Sequence, residues 1–120
     1  MKIVFTTTGE GLDAPLDPRF GRAPRFLVYD LDDDTFTVVD NSINLNAAQG
    51  AGIQSAETVA RTGAKAVVTG HCGPKAFRVL SAAGVKIYPS PEATVAQALA
   101  AFRAGKLSEA SSADVEGHWA

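Results

Sequence analysis

With 120 residues the chain has room for one domain, which at that length buries about two-thirds of its unfolded surface and needs no staple to hold a core. An apolar fraction of 46%, a charged fraction of 20% and a net charge of −2 exclude a global basic field that would recruit nucleic acid or an anionic membrane. No run of about 18 apolar residues occurs and the one at Met1–Phe5 is too short for a signal segment, so a cytoplasmic protein with no membrane partner is expected.

Ile3–Thr8 is β-branched and bounded by Gly9 and Gly11, and predicts a buried strand. Residues 9–24 contain three prolines and three glycines, which neither a helix nor a strand tolerates; an ordered loop of that length points to function. Phe26–Leu31 and Thr35–Asp40 flank Asp32-Asp33-Asp34 and predict an antiparallel hairpin with a solvated acidic turn. That turn lacks the twelve-residue ligand pattern of a calcium loop.

A polar loop, Asn41–Gln49, precedes a helix over Gly50–Thr62, with Ile53, Ala56, Val59 and Ala60 on one stripe and Gly63 as its stop. Gly50-Ala51-Gly52 lacks the third glycine of a dinucleotide fingerprint and does not follow a βαβ strand, so that reading fails; it remains an anion-friendly helix start. Ala66–Thr69 is short and wholly apolar apart from its last residue, as a central parallel strand should be. Pro74 suits the first turn of the next helix, whose apolar positions are Ala76, Phe77, Val79, Leu80 and Ala83 and which closes at Gly84. Val85–Tyr88 predicts the last strand. Thr94 caps a final helix carrying Val95, Ala98, Leu99 and Phe102 and ending at Gly105.

The order β-β-β-α-β-α-β-α predicts an α/β fold: three layers, α/β/α, with three helices on a mixed sheet of about five strands. Residues 1–107 form a single domain, and the small, polar residues 108–120 are expected as a flexible tail.

Cys72 is the single cysteine, so no intramolecular disulfide and no all-cysteine zinc or iron–sulfur site is available within one chain. Two segments carry the chemistry. In Asp17-Pro18-Arg19-Phe20-Gly21-Arg22-Ala23-Pro24, two arginines three apart on a stiffened loop offer guanidinium forks to a multiply charged anion; the alternative is that Phe20 plugs a core edge and both arginines are solvated. In Thr69-Gly70-His71-Cys72-Gly73-Pro74-Lys75, a strand's carboxyl end meets a helix N-terminus, where open α/β sheets place ligands and free N–H groups favour anions. The alternative there is a tight turn with glycines for geometry alone.

His71 and Cys72 are candidate metal ligands, but two adjacent residues do not complete a tetrahedral site, and His118 lies in the expected tail. Cys72 near a helix N-terminus is a candidate reactive thiol; the plainer reading is a small, partly buried residue. No nucleophile–base–orienter set is present, so no catalytic residue is assigned and the chain is not expected to be an enzyme.

Asp13-Ala14-Pro15, Phe20-Gly21-Arg22-Ala23-Pro24-Arg25-Phe26, Gly50-Ala51-Gly52-Ile53, Gly70-His71-Cys72-Gly73-Pro74-Lys75-Ala76-Phe77 and the Thr94–Gly105 pattern together resemble the dinitrogenase iron–molybdenum cofactor biosynthesis family. That family includes NifX-like accessory proteins, the carboxyl-terminal domain of many NifB proteins and small molybdenum–copper orange proteins. The resemblance runs over roughly residues 1 to 107. It implies a ribonuclease-H-like fold and non-covalent binding, carriage or assembly of an anionic metal–sulfur cluster. A molybdenum–copper sulfide cluster is favoured by the stand-alone length, with iron–molybdenum cofactor or its precursor as the alternative. Assembly proteins and ATPases as partners are implied by the resemblance only.

Many relatives carry histidine, a candidate cofactor ligand, where this chain has Arg19, so the resemblance implies an ionic contact there in place of an imidazole–metal bond. The site implied comprises Arg19, Phe20, Gly21 and Arg22 with Gly70, His71, Cys72, Gly73 and Lys75. A phosphate- or nucleotide-binding regulatory module without metal is the alternative function. A ribonuclease-H-like nuclease would need carboxylates grouped at strand ends, and the acids here sit in a turn or in loops.

Overall fold

Val28, Val4, Val67 and Ile87 stand side by side in one row across four neighbouring strands. The structure, a computed structural model, describes residues 1–42 and 50–111. Residues 43–49 of the expected polar loop and residues 112–120 of the expected tail, His118 included, lie outside the described residues.

The strands are β1 (Lys2–Thr7), β2 (Arg25–Asp30), β3 (Thr35–Asp40), β4 (Ala66–Thr69) and β5 (Lys86–Pro89). They form one sheet in the order β3-β2-β1-β4-β5. β1 pairs antiparallel with β2 and parallel with β4; β2–β3 is antiparallel and β4–β5 parallel. The mixed sheet follows from the connections, since a tight acidic turn can only join antiparallel strands and a helical crossover returns the chain parallel. Among the described residues there are three α-helices: α1 (Ala51–Arg61), α2 (Pro74–Ala82) and α3 (Val95–Arg103).

Strand alternation divides the core into two. Val4, Phe26, Val28, Val67 and Ile87 face Ala56 and Val59 of α1 and Ala76 and Leu80 of α2. Ile3, Phe5, Leu27, Tyr29, Ala66 and Val68 face Val95, Ala98 and Leu99 of α3. Because successive side chains point to opposite faces, one apolar strand supplies both layers. This is the expected three-layer α/β/α architecture.

The helix ends differ in a way that bears on function. α3 opens with a capping box: Gln97 N–H donates to Thr94 Oγ1, and Gln97 Oε1 accepts from Thr94 N–H. Its next two N–H groups donate to Ala14 and Leu12 carbonyls of the long loop. α1 and α2 start at Gly50 and Gly73, neither of which supplies a side-chain cap. Gly50 sits at φ 79°, a left-handed conformation that side chains disfavour.

Candidate functional site

The long loop after β1 is stitched down in steps rather than draped. Leu16 bridges Thr7, and Asp17 N–H donates to Thr6 O at 2.8 Å. Thr6 Oγ1 donates to Asp17 O at 2.7 Å and lies 2.9 Å from Thr69 Oγ1, the last residue of β4. Asp17 Oδ1 accepts from Arg19 N–H at 2.9 Å, closing an Asx turn over Pro18.

From that turn the chain extends. Arg19 has φ −119° and ψ 113°, and forms a parallel β-bridge with His71, while Phe20 N–H donates to His71 O at 3.1 Å. Extended backbone sends alternate side chains to opposite sides. Arg19 and His71 are accordingly exposed, whereas the residues after them, Phe20 and Cys72, are 1% and 3% exposed and share one core cluster. Within the expected loop a 3-10 turn over Phe20–Arg22 then presents Arg22 outward and buries Gly21. α1 packs against this turn, and the buried Asn41 side chain donates to Ala23 O at 2.8 Å and to Ser55 Oγ at 3.0 Å, tying the turn to α1.

Gly70 explains why the two segments meet so closely. A Cβ built there would lie 2.6 Å from Pro18 O and 2.7 Å from Pro18 Cα, closer than real Cβ contacts. Only glycine lets the turn after β4 approach the arginine loop. Gly73 is buried as the start of α2, and Lys75 is exposed in its first turn.

The residues named from sequence therefore divide. Arg19, Arg22, His71 and Lys75 are exposed on two segments that the fold joins. Phe20 and Cys72 point into the core; Phe20 stacks on Phe26 with ring centroids 5.7 Å apart. Phe20 is thus a core plug, and the Cys72 sulfur is buried in the same cluster.

Sequence reasoning missed the third wall. A cavity of about 410 Å³ opens at the carboxyl ends of β4 and β5. It is lined by Leu16 and Pro18 of the long loop, Gly70 and His71 of the turn, and Pro89, Ser90, Pro91 and Glu92 after β5. Arg19, Arg22 and Lys75 are not among its lining residues. The β5–α3 connection carries no motif; only its position after a parallel strand, where α/β sheets bind ligands, could have drawn attention to it.

Among the described residues no group of three or more His, Cys, Asp or Glu side chains could hold a metal ion. Exposed cations and two helix starts without side-chain caps lie at one end of the sheet instead.

Comparison with known proteins gives a consistent picture. The sequence model of the family described as dinitrogenase iron–molybdenum cofactor matches residues 1–105. The chain is similar to the apo form of the orange protein from Desulfovibrio gigas, with 41% identity over 95% of this chain and 96% of that one, and a TM-score of 0.92. A candidate NifB protein from Thermotoga is 31% identical over 90% of this chain and 91% of its own, with a TM-score of 0.80. An uncharacterised protein of Methanocaldococcus jannaschii is 27% identical over 95 residues, 77% of this chain and 80% of that protein.

Proposed function

The chain belongs to the dinitrogenase iron–molybdenum cofactor family, and from that premise we propose that it carries a preassembled, anionic molybdenum–sulfur cluster without covalent attachment. A molybdenum–copper sulfide cluster is the favoured cargo, supported by the likeness to the orange protein across nearly the whole of both chains. The cargo sits where the arginine loop and the glycine turn meet, and the protein is a cytoplasmic carrier rather than an enzyme.

The observation that carries this reading is the Arg19–His71 bridge, which joins a loop bearing two arginines to a helix start bearing Lys75. At an effective dielectric near 20, each cation about 4 Å from a unit negative charge contributes roughly 4 kcal/mol of attraction, before desolvation. Guanidinium forks and helix N–H groups donate to sulfide without replacing any ligand of the metals, so the cluster keeps its own bonds and is released intact. Hydrogen bonds and charge alone hold it.

The test is to add tetrathiomolybdate and copper to the purified protein, desalt, and measure molybdenum, copper and the visible spectrum. A coloured complex of fixed metal stoichiometry is expected. A protein that retains neither this cluster nor iron–molybdenum cofactor, but shows a thermal shift with nucleotides, would replace the reading with that of a nucleotide-binding module.

A further inference from the structure

We infer that Asp17, Thr6 and Thr69 form a positioning clasp for the cargo site, setting the arginine loop against the glycine turn before any cargo arrives; the inference rests on the proposed carrier function. Each of the three is 6% exposed or less, and none touches the exposed face of the site.

The geometry makes one connected unit. Asp17 O accepts from Thr6 Oγ1 at 2.7 Å and lies 3.4 Å from the Thr69 hydroxyl, while the two hydroxyl oxygens are 2.9 Å apart. Asp17 Oδ1 holds Arg19 N–H at 2.9 Å, and Asp17 N–H holds Thr6 O at 2.8 Å. Thr69 immediately precedes Gly70, so the clasp fixes the origins of both limbs: Thr69 for the turn, Asp17 for the loop.

Packing alone does not call for this chemistry. Valine has the shape of threonine, and two valines at the carboxyl ends of β1 and β4 would continue the apolar strands. Buried hydroxyls and a buried carboxylate are unfavourable unless every polar group finds a partner, and a satisfied network then holds one geometry in preference to others. The geometry held here is the extended conformation of Arg19, whose side chain faces outward beside His71. The clasp thereby fixes where the guanidinium begins, which reduces the ordering cost of binding. Asp17 touches no ligand; it is a positioning residue acting through Arg19.

The experiment titrates the full chain with tetrathiomolybdate by equilibrium dialysis, well below the melting temperature of each variant. Asp17→Ala and Thr69→Val each weaken binding about fivefold, the factor expected for one lost hydrogen bond. Asp17→Asn and Thr69→Ser restore it, because the amide Oδ1 still accepts and the serine hydroxyl remains. In an Arg19→Ala background Asp17→Ala has no further effect, since the group it positions is gone. Wild-type affinity in folded Asp17→Ala or Thr69→Val, or additive losses in the double variant, would overturn the clasp while leaving the carrier reading intact. If Asp17→Ala does not fold, Thr69→Val and its serine rescue decide the matter. A wild-type chain that does not bind the probe sinks the clasp, and the carrier reading falls with it only if the molybdenum–copper cluster and iron–molybdenum cofactor are refused as well.

Discussion

Arg19 and His71 are partners in a parallel β-bridge between two segments far apart in the chain, and both side chains emerge on the outer side. The next residue on each segment, Phe20 and Cys72, turns inward to the same core. One short bridge therefore couples a surface site to the packing beneath it.

If the outward pair marks the cargo site, removing its cations should cost binding and little else. Arg19→Ala with Arg22→Ala is expected to weaken cluster retention by at least about tenfold, as losing charge-assisted hydrogen bonds does. Both side chains are exposed, so the urea midpoint should move within the range of about 0.5 kcal/mol typical of surface substitutions. Retention at wild-type level in the double variant would remove the arginine loop from the site.

Gly70→Ala tests the close approach. Its Cβ would meet Pro18 backbone atoms at 2.6 and 2.7 Å, and backbone gives way less readily than a flexible side chain. The expected result is a loss of roughly 1–3 kcal/mol in denaturant unfolding, the usual cost of overpacking, together with impaired retention. An unchanged midpoint would show that the loop and turn separate freely.

The inward pair predicts a contrast between two phenylalanines. Phe20 is 1% exposed and stacked on Phe26, whereas Phe36 on β3 is 38% exposed. Phe20→Ala should cost about 3–5 kcal/mol, a large part of the roughly 5–15 kcal/mol that keeps a domain folded. Phe36→Ala should cost far less, and equal losses in a urea titration would contradict the assignment of Phe20 as the core plug.

Cys72 lies 3% exposed, so a thiol reagent should label it slowly in the native protein and quickly in denaturant. Cys72→Ala is expected to retain the cluster with the same metal stoichiometry. Loss of molybdenum in that variant, with the fold intact by circular dichroism, would make the thiol a ligand after all.

Acid should weaken the clamp between the hairpin and α3. The Arg103 guanidinium hydrogen-bonded to Asp34, and then the Tyr29 hydroxyl, hold the Asp34 carboxyl below its ordinary value. A depressed carboxyl stabilises the fold above its unfolded pKa, about 3.9, and that contribution disappears as the pH falls through the lower folded value. The stability difference between wild type and Asp34→Asn should therefore be present at neutral pH, small in high salt because the pair is exposed, and absent in strong acid. A difference that persists undiminished in strong acid would mean the carboxylate charge is not its source.

Sequence alone determined what depends on near neighbours in the chain. β3 ran over Thr35–Asp40 and β4 over Ala66–Thr69 as expected, and the helices began within a residue of their predicted starts, because β-branched runs, Pro74 and the Thr94 cap act locally. The two chemistry-bearing segments were legible for the same reason: arginines, glycines and a strand-to-helix junction can be read in place. What tertiary structure decided was contact across the chain. It set Arg19 beside His71, turned Phe20 and Cys72 inward, and brought the Pro89–Glu92 connection to the cavity. Gly70 reads as permissive in the sequence and becomes obligatory only once Pro18 is packed against it. The buried Asp17–Thr6–Thr69 hydrogen bonds likewise have no local pattern, since their partners become neighbours only when β1 and β4 pair in the sheet.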